Sequence, residues 1–394
     1  MGSLVLGLGG TVDYEVRWEA ATLDALAREF AIRRGELTTS APITDERSLV
    51  VTILAFVAAG GGGERFVTSS EILERFADRF EKAVTLGGTG VRAGLALDQL
   101  GIPSVQHLVS IDDNVRRLLP SSIRYVCSAT EDSLDPHLIV QYPAGARVQL
   151  VDAEVIAPAP NRLIFANDAP NREMALAADL GRELADADVF LVSGFNTMQD
   201  ASLLSSRLDP LLAAMRWLPD DALVYYEDAG FYRREFSETI RARLLPRIDV
   251  YGMNEDELQE YLGRPVNLLD VADVSAALRD IHRLIPAPAL AVHTRYWALA
   301  VGPEAHRHEA ALESAVRMAA TRFRLGDRFT PADLDETGAL PRHAGGARVV
   351  ASLPEFTGVA AFDIDVASPT TIGLGDTFVG GFVAACASRE EAVA

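Results

Sequence analysis

The chain has 394 residues, of which 49% are hydrophobic and 23% charged, so it can bury a large core as globular proteins do. Its 56 acidic residues against 36 basic ones leave a formal net charge of −20, which excludes nucleic acid and anionic membranes as expected partners. Lys82 is the one lysine, which excludes a Walker A loop and leaves any phosphate site to arginine, backbone amides or metal.

The cysteines and the hydropathy of the chain indicate its compartment. Cys127 and Cys386 lie far apart among apolar neighbours, which is typical of free thiols in a reducing environment. No apolar run reaches the ~18 residues that span a bilayer, and the residues before Gly7 lack a basic region and a cleavage site. We therefore expect a cytoplasmic protein, a monomer or a small homo-oligomer, with no membrane partner.

Short apolar runs alternate with longer amphipathic segments along most of the chain. The predicted strands are residues 4–8, 104–108, 123–127, 147–151, 163–166, 189–193, 223–227, 248–252, 289–293 and 297–301. The predicted helices are residues 19–34, 69–83, 90–100, 171–186, 201–217, 231–245, 275–284 and 376–387. This alternation predicts a doubly wound, mostly parallel α/β sheet with helices on both faces. Ligands bind such sheets at the carboxyl ends of the strands.

One segment departs from this alternation. Residues 137–168 are rich in proline and β-forming residues and contain no good helix. Together with the region after Asp13, they are predicted to form strands outside the main sheet, in a smaller β-rich lid. The predicted division is a large α/β nucleotide-binding domain from residues 1–12, 46–136 and 173–394, and a lid or substrate domain from residues 13–45 and 137–172.

The turn Gly373-Leu374-Gly375-Asp376 carries the strongest chemical signal. Its two glycines let the backbone approach an anion closely, and the helix that follows presents free N–H groups and the positive end of its dipole. A carboxylate there suits a general base: Asp376 would take the proton of an attacking hydroxyl while amides near Gly373 and Gly375 hold phosphoryl oxygens. The alternative is an aspartate that only caps a helix.

A second signal follows the predicted strand 248–252. Asn254 begins a predicted helix that runs to about Leu262, and Glu257 lies one turn further on. An amide and a carboxylate at this spacing suit a hydrated Mg²⁺, which keeps several waters and takes few protein ligands. A helix N-cap followed by an acidic first turn fits the same residues.

Two glycine-containing turns near the amino end suggest a polar ligand. Residues 87–90 precede a predicted helix, where bare backbone can meet a ligand or can simply serve helix packing. Asp13 follows the first strand and is placed to accept two hydroxyl hydrogens from a sugar. The third glycine of a dinucleotide fingerprint is replaced by Val12, which argues against a dehydrogenase.

These motifs, in this order, resemble the ADP-dependent glucokinase and phosphofructokinase family within the ribokinase-like superfamily. The resemblance extends from about Gly7 to Phe382. The stretches that carry it are residues 10–13, 87–94, 161–165, 193–196, 252–258, 292–296 and 373–377. Gly-Met-Asn-Glu-x-Glu-Leu at 252–258 and Val-His-Thr at 292–294 separate this family from its ATP-using relatives. The resemblance implies a large α/β domain and a smaller lid that closes over the sugar.

The resemblance also implies which residues act on the acceptor. Asp376 resembles the catalytic base, with Gly373 and Gly375 in the anion hole and Gly375 beside the nucleotide as well. Asp13 and Gly88 resemble the residues that contact the sugar. The implied reaction transfers the terminal phosphoryl group of ADP to a hydroxyl of a hexose or hexose phosphate, such as glucose or fructose 6-phosphate.

The nucleotide and metal residues follow from the same resemblance. Asn254 and Glu257 resemble the pair that organises Mg²⁺, and Glu255 belongs to the wider Asn-Glu-x-Glu pattern. His293 and Thr294 are expected beside the nucleotide, although a histidine that ends a buried strand can also be a core residue. The implied partners are thus a small sugar and a nucleotide, with Mg²⁺ as cofactor.

One difference from the pattern of the family affects which sugar can be the acceptor. The family commonly has Asn or Gln after the paired glycines, whereas this chain has Thr89, whose shorter hydroxyl side chain changes the contacts to the sugar. A sugar phosphate requires cationic partners, and Arg92, Arg162 and Arg172 are the candidates, with ordinary surface arginines as the alternative. The choice between a free sugar and a sugar phosphate stays open, as do an ATP-dependent sugar or nucleoside kinase and a non-catalytic sugar- or nucleotide-binding regulator.

Overall fold

Two β-sheets of unequal size organise the chain. The computed structural model describes residues 3–366, 370 and 372–387. The strands are β1 Ser3–Leu6, β2 Thr11–Val16, β3 Gly63–Phe66, β4 Lys82–Gly87, β5 Ser104–Leu108, β6 Ile123–Cys127, β7 His137–Tyr142, β8 Arg147–Gln149, β9 Glu154–Ile156, β10 Asn161–Ala166, β11 Ala187–Val192, β12 Leu223–Glu227, β13 Val250–Asn254, β14 Ala289–His293, β15 Trp297–Val301 and β16 Thr357–Ala360.

Helices connect most of these strands. They are α1 Ala20–Glu29, α2 Glu46–Ala59, α3 Ser70–Ala77, α4 Thr89–Asp98, α5 Asp113–Leu118, α6 Ala169–Glu173, α7 Leu180–Leu184, α8 Ala201–Ala214, α9 Glu235–Leu244, α10 Glu255–Leu262, α11 Val271–Leu284, α12 Glu309–Leu325, α13 Pro331–Gly338, α14 Ala344–Ser352 and α15 Leu374–Ala387. Among the described residues, none of these helices combines the length and the apolarity needed to cross a membrane.

The larger sheet is mostly parallel, as the alternation of elements predicts. In the described part of the chain its strand order is β16-β15-β14-β13-β12-β11-β1-β5-β6. Every neighbouring pair from β14 to β6 is parallel, whereas β15 and β16 pair in the antiparallel sense at one edge. Strand order reverses beside β1, so the carboxyl ends of β1 and its neighbours flank a crevice in which a ligand can bind.

Both faces of the larger sheet are buried under helices, which confirms the predicted doubly wound architecture. In β11, Phe190 and Val192 pack with α7, α8 and α9, whereas Val189 and Leu191 pack with α12 and α15. This alternation follows from the two-residue period of a strand, and apolar side chains on both faces are typical of parallel sheets.

Helix α15 is held very close to its neighbour α12. A Cβ at Gly381 would lie 2.8 Å from the Cα of Ala315, so only a residue without a side chain fits this crossing. Phe378 and Phe382 are buried against the sheet on the same helix, and each buried aromatic side chain contributes on the order of 2 kcal/mol. The position of the turn before α15 is therefore fixed by packing.

The smaller sheet has the strand order β3-β10-β7-β2-β4 in the described residues, and a separate antiparallel ribbon is formed by β8 and β9. The strands predicted outside the main sheet, in residues 137–168 and after Asp13, lie in this sheet and its ribbon. Helices α1, α2 and α3 share its core.

The boundary of the smaller unit differs from the predicted one. Residues 46–87, assigned from sequence to the large domain, supply α2, β3, α3 and β4, which belong to the smaller sheet and its core. Helix α2 is buried along most of its length, from Leu49 to Val57, so it lacks the amphipathic period that would have revealed a helix on the smaller sheet.

Candidate active site

A cavity of about 370 Å³ lies between the two sheets, where β1, β11, β12 and β13 end. It is the crevice in which ligands of doubly wound sheets bind. Of the residues that the sequence predicts for the site, the cavity wall contains Asp13, Gly88, Thr89, Arg162, Asn254, Gly373, Gly375 and Asp376. Residues from both ends of the chain are thus brought together around one space.

The smaller sheet forms one wall of this cavity. Because successive side chains of a strand point to opposite faces, alternate residues of each strand reach the cavity. These residues are Thr11 and Asp13 of β2, Glu64 and Phe66 of β3, His137 and Ile139 of β7, and Arg162, Ile164 and Ala166 of β10. The smaller sheet therefore covers the ends of the larger one, as a lid does.

Asp13 is held firmly in this wall. Its Oδ1 accepts a hydrogen bond of 2.6 Å from the Thr11 hydroxyl, and its Oδ2 accepts one of 2.8 Å from Nη2 of Arg92. Both residues of the Arg92–Asp13 ion pair are buried. Gly87 makes room for this carboxylate, since a Cβ at Gly87 would lie 2.4 Å from the Asp13 Oδ2. The carboxylate oxygens consequently face the cavity in a fixed orientation.

The predicted turn before the last helix has the backbone expected for an anion site. Gly373 has a φ of +66°, which favours glycine, and its carbonyl accepts hydrogen bonds from the Thr377 N–H and hydroxyl at 3.0 and 2.9 Å. Helix α15 begins at Leu374, so the N–H groups of Leu374, Gly375 and Asp376 have no partner within the helix. Free amides and the Asp376 carboxylate therefore sit together at the cavity wall.

A second cavity of about 520 Å³ adjoins the first and shares Asn254, Leu374 and Gly375 with it. Its lining includes the remaining predicted nucleotide residues, His293 and Thr294, together with Glu255. The two cavities meet at the turn, which is the arrangement required for a donor in one cavity and an acceptor in the other.

His293 and Thr294 differ in how free their side chains are. The His293 ring stacks on Phe378 with centroids 4.5 Å apart, and its Nε2 lies 2.9 Å from Oε1 of Glu227. The Thr294 hydroxyl donates to the Trp297 carbonyl at 2.9 Å and accepts from the amide of Trp297, so it serves the turn between β14 and β15. Contact of Thr294 with a ligand is therefore left to its methyl group and backbone.

Asn254 and Glu257 bind each other. Asn254 caps α10: its Oδ1 accepts from the amides of Asp256 and Glu257 at 2.7 and 3.1 Å. Glu257 returns the contact, since its Oε2 accepts from the Asn254 amide at 2.7 Å and its Oε1 from the Asn254 side chain at 2.9 Å. The helix-capping alternative thus describes the local structure. Glu257 itself reaches neither cavity and is buried behind Asn254.

Buried negative charge accumulates behind Asn254. Burial raises the pKa of Glu257 well above its ordinary value, and the negative charges of Asp228 and Glu227 act in the same direction. Burial likewise raises the pKa of Asp228 to about 6, although hydrogen bonds from Tyr261 and Tyr251 oppose the shift. A nearby cation would stabilise the ionised form of these buried carboxyl groups.

The residues fit a hydrated Mg²⁺ better than a directly ligated one. Direct ligation would require Asn254 and Glu257 to give up the cap of α10, and within the described residues no three His, Cys, Asp or Glu side chains are arranged to hold a metal. No arginine or lysine of the described chain forms an ion pair with Glu227 or Glu257. Because Mg²⁺ keeps several waters, this acidic cluster suits an ion that is held through its water ligands.

Sequence reasoning missed a polar cluster on the side of the cavity that the smaller sheet forms. His137 Nε2 lies 3.0 Å from Oδ2 of Asp168, which also accepts from the Asn171 side chain at 2.7 Å. Burial opposes protonation of His137, but the hydrogen bond and charge of Asp168 outweigh it and raise the pKa of the imidazole. The register that pairs His137 with Asp13 across β7 and β2 could not be read before the sheet was known.

A contact between the two sheets also escaped prediction. Tyr232, in the loop after β12, donates to Oε2 of Glu64 at 3.1 Å and packs on Phe66 with ring centroids 4.2 Å apart. All three side chains line the cavity. They close the cavity on the side where β3 forms the edge of the smaller sheet.

The fold and the cavity together define a doubly wound α/β protein whose second sheet covers a cavity at the carboxyl ends of the strands. A family model, described as the ADP-specific phosphofructokinase/glucokinase conserved region, matches residues 2–339. The chain belongs to this family of ADP-dependent kinases. The turn at Gly373 and the Asp376 carboxylate lie beyond the matched residues, so their roles rest on the geometry of the cavity.

Solved structures show the same fold at low sequence identity. A hypothetical ADP-dependent phosphofructokinase from Pyrococcus horikoshii OT3 is 18% identical, with a TM-score of 0.78 and 99% of each chain covered. An ADP-dependent kinase in complex with fructose 6-phosphate and ADPβS is 14% identical, with a TM-score of 0.72 and coverage of 99% of this chain and 94% of that one. A search of curated proteins found no match.

A more distant structure extends the likeness beyond ADP-dependent enzymes. The adenosine kinase from Sinorhizobium meliloti is 13% identical, with a TM-score of 0.51, and the likeness covers 98% of this chain and 88% of that one. The fold is thus common to kinases with different acceptors, and the acceptor has to be inferred from the side chains of this cavity.

Proposed function

We propose that this chain is an ADP-dependent sugar kinase in which Asp376 is the general base. The observation that carries the proposal is that Asp13, Asn254 and Asp376 line one cavity together with the glycine turn at Gly373. A binding protein would require the turn but no carboxylate at the start of the helix behind it. The family supports ADP as the donor.

The mechanism begins with the acceptor. Asp13, fixed by Thr11 and Arg92, accepts hydrogen bonds from hydroxyl groups of the sugar while the backbone at Gly88 lies against its ring. Asp376 takes the proton of the reacting hydroxyl as its oxygen attacks the terminal phosphorus of ADP. AMP leaves, and the free amides at the start of α15 hold the phosphoryl oxygens during transfer.

The acidic cluster behind Asn254 would hold the metal. Asn254 and Glu255 would bind a hydrated Mg²⁺ at the boundary of the two cavities, with Glu257 acting through Asn254 and the buried Glu227 acting by its charge alone. When bound, Mg²⁺ supplies positive charge beside the phosphates of the nucleotide. His293 and Thr294 line the adjoining cavity, which we assign to the nucleotide.

We propose a phosphorylated hexose, such as fructose 6-phosphate, as the acceptor. Arg162 and Arg172 both line the first cavity, and neither forms an ion pair with a carboxylate of the described residues. In a chain with a net charge of −20, arginines without such a partner in a cavity indicate an anionic ligand. The distance from these arginines to Asp376 would be spanned by the sugar itself.

A free hexose is the second candidate, and a different observation favours it. Asp13, Glu64, Asp168 and Asp376 all line the cavity. Carboxylates accept hydrogen bonds from neutral hydroxyls and repel a phosphate group. The balance between these carboxylates and the two arginines decides which acceptor is used.

The test is a turnover assay with a matched panel of substrates. The protein with Mg²⁺ is incubated with ADP or ATP and with glucose, fructose, glucose 6-phosphate or fructose 6-phosphate, and release of AMP or ADP is followed. The proposal predicts AMP release with ADP and fructose 6-phosphate. Faster turnover with glucose would support the second candidate, faster turnover with ATP would overturn the choice of donor, and no turnover with any pair would indicate a binding protein.

A further inference from the structure

Two buried arginines from different helices converge on the turn that precedes α15. Arg92 of α4 is 9% exposed and Arg322 of α12 is 4% exposed. Their Nη1 atoms lie 3.3 and 3.1 Å from the position that a Cβ of Gly373 would occupy. Two like charges meet at one point only where other charges compensate them or where an anion binds between them.

Arg92 connects this turn to the acceptor side of the cavity. Its Nη2 donates to Asp13 at 2.8 Å and lies 3.5 Å from Glu15, while its Nη1 faces Gly373. Burial works against the charge of Arg92, yet the negative charges of Asp13 and Asp376 hold its pKa above the ordinary value. One guanidinium therefore spans the space between the acceptor carboxylate and the anion-binding turn.

Among the described residues, one hydrogen-bond donor of Arg322 has no partner beside this turn. Its Nε and Nη2 donate to Oδ1 of Asp327 at 2.9 and 2.5 Å. Its Nη1 is buried and has no hydrogen-bond partner among the described residues. A buried donor without a partner costs about 1–3 kcal/mol, and more when it is charged. The start of the 14-residue helix α15 thus has a second, independent feature that indicates an anion.

The chain has no lysine that could place a cation beside the phosphoryl group. Lys82, on β4, forms an ion pair of 2.6 Å with Asp78 and lies over the Tyr14 ring, outside the cavity. Kinases place a fixed cation beside the phosphoryl group in transfer, where it neutralises the charge that develops on the equatorial oxygens. Of the two arginines at Gly373, Arg92 lines the cavity and is in position to do so.

We propose that Arg92 is a catalytic residue that contacts the phosphoryl group in transfer, and that Arg322 is a positioning residue that supports the turn and Arg92 with its charge. The inference rests on the proposed function. The oxygen of the acceptor forms a bond to the terminal phosphorus of ADP as the bond from that phosphorus to the bridging oxygen breaks. The electron pair of the broken bond leaves on AMP, and the hydroxyl proton passes to Asp376.

Arg92 acts on the phosphoryl group while one bond to its phosphorus forms and the other breaks. Its Nη2 remains on Asp13, which holds the acceptor, and its Nη1 donates to an oxygen of the phosphoryl group. This hydrogen bond stabilises the transition state most, when the phosphoryl group lies between the acceptor oxygen and the bridging oxygen of ADP. Its loss therefore lowers kcat more than it raises KM. An Arg92 that only neutralised Asp13 would instead change KM for the acceptor.

The test compares Arg92→Met, Arg92→Lys and Arg322→Gln with the wild-type enzyme in the AMP-release assay. We expect kcat to fall by at least ~100-fold in Arg92→Met and by ~10-fold in Arg322→Gln, with KM for ADP changed by less than ~3-fold. Arg92→Lys keeps the charge and loses the planar fork, and should retain an intermediate kcat. Arg328→Gln, which changes an exposed arginine in the loop after α12, is the matched control and should leave kcat unchanged.

A binding measurement separates the transition state from the ground state. Calorimetry measures the affinity for AMP in the presence of Mg²⁺ and the acceptor, with and without aluminium fluoride as a mimic of the phosphoryl group. Aluminium fluoride should increase this affinity in the wild type, and the increase should be lost in Arg92→Met. Affinity for AMP alone should be unchanged. If Arg92→Met does not fold, Arg92→Lys serves in its place, with a partial loss of the tightening expected.

Two outcomes would overturn the inference. One is a kcat of Arg92→Met within ~3-fold of the wild type. The other is an equal loss of AMP affinity with and without aluminium fluoride. A wild-type enzyme that releases no AMP with any acceptor would contradict the proposed function itself, so the two failures can be told apart.

Discussion

The Nη2 atom of Arg92 lies 2.8 Å from the Oδ2 atom of Asp13, and this buried ion pair joins helix α4 to the smaller sheet. The two residues are 79 positions apart in the chain. The pair fixes the Asp13 carboxylate, which we propose as the acceptor-binding group, and at the same time holds α4 against the smaller sheet beside the cavity. The ion pair is thus structural and, under this proposal, functional, and each role makes its own prediction.

Removal of Asp13 should destabilise the protein strongly. Asp13→Ala leaves the guanidinium of Arg92 buried with only the longer contact to Glu15, and breaking a buried pair in this way costs about 3–5 kcal/mol. Thr11→Val is the matched control, since it removes one hydrogen bond to the same carboxylate and should cost only about 1 kcal/mol. Urea unfolding measures the free energy of unfolding of both variants. Equal losses in the two would contradict a stabilising ion pair between Asp13 and Arg92.

Arg162 should discriminate between acceptors. Arg162→Ala removes a cation without a carboxylate partner from the cavity wall, so KM for fructose 6-phosphate should rise by ~10- to 100-fold. KM for an unphosphorylated hexose should not change. Arg65→Ala is the control, because Arg65 donates to the Ala41 carbonyl at 2.8 Å and does not line the cavity. Steady-state kinetics measure KM for both acceptors. An equal change of KM for the phosphorylated and the unphosphorylated hexose would argue against a contact between Arg162 and a phosphate group.

Glu257 should influence the metal without touching it. Glu257→Gln removes a buried carboxyl group behind Asn254 that a bound cation would keep ionised, and it keeps an oxygen that can accept from the Asn254 amide. The concentration of Mg²⁺ at half-maximal rate should rise by ~10-fold because the acidic cluster attracts the cation less. Glu260→Gln, on the exposed face of the same helix, should leave it unchanged. A titration of rate against Mg²⁺ that is identical for both variants would exclude the cluster as the metal site.

His107 should make stability depend on pH. This residue of β5 is fully buried, burial lowers its pKa from 6.5 to about 4, and its Nε2 accepts a hydrogen bond of 2.9 Å from the Ala177 amide. Between pH 6.5 and 4 the unfolded chain binds a proton that the folded chain does not, so the free energy of unfolding falls as the pH falls through this window. The loss attributable to this group approaches about 3 kcal/mol at its lower end.

The contribution of His107 can be isolated by difference. His107→Gln keeps an acceptor for the Ala177 amide but does not titrate, so its free energy of unfolding should depend less steeply on pH than that of the wild type between pH 6.5 and 4. His306→Gln changes an exposed histidine and should retain the wild-type slope. Urea unfolding at several pH values measures the slopes, and parallel curves for wild type and His107→Gln would be inconsistent with a buried neutral imidazole.

Features with a local cause could be predicted from the sequence. The turn at Gly373 and the cap at Asn254 are recognisable because glycine, asparagine and acidic residues stand at fixed offsets from a helix start. Strands such as β5, β14 and β15 have the predicted bounds because they are short apolar runs between turn residues. The doubly wound architecture of the larger sheet follows from their alternation with helices.

Features with a tertiary cause could not be predicted. The predicted helix over residues 171–186 is divided into α6 and α7, because Met174 adopts a left-handed backbone with a φ of +44°. Its terminal carbon packs beside Gly9 and Gly194, which are distant in the chain. The pairing of Arg92 with Asp13 and the meeting of Arg92 and Arg322 at Gly373 likewise depend on how the two sheets and α12 are packed.

If Asp376 takes the proton of the acceptor hydroxyl, the variant Asp376→Asn removes the base of the reaction. The amide keeps the size of the side chain and cannot accept this proton, so the rate of AMP formation in a single turnover should fall by at least ~100-fold while ADP binds with nearly wild-type affinity. A single-turnover rate within ~3-fold of the wild type would show that a group other than Asp376 is the base.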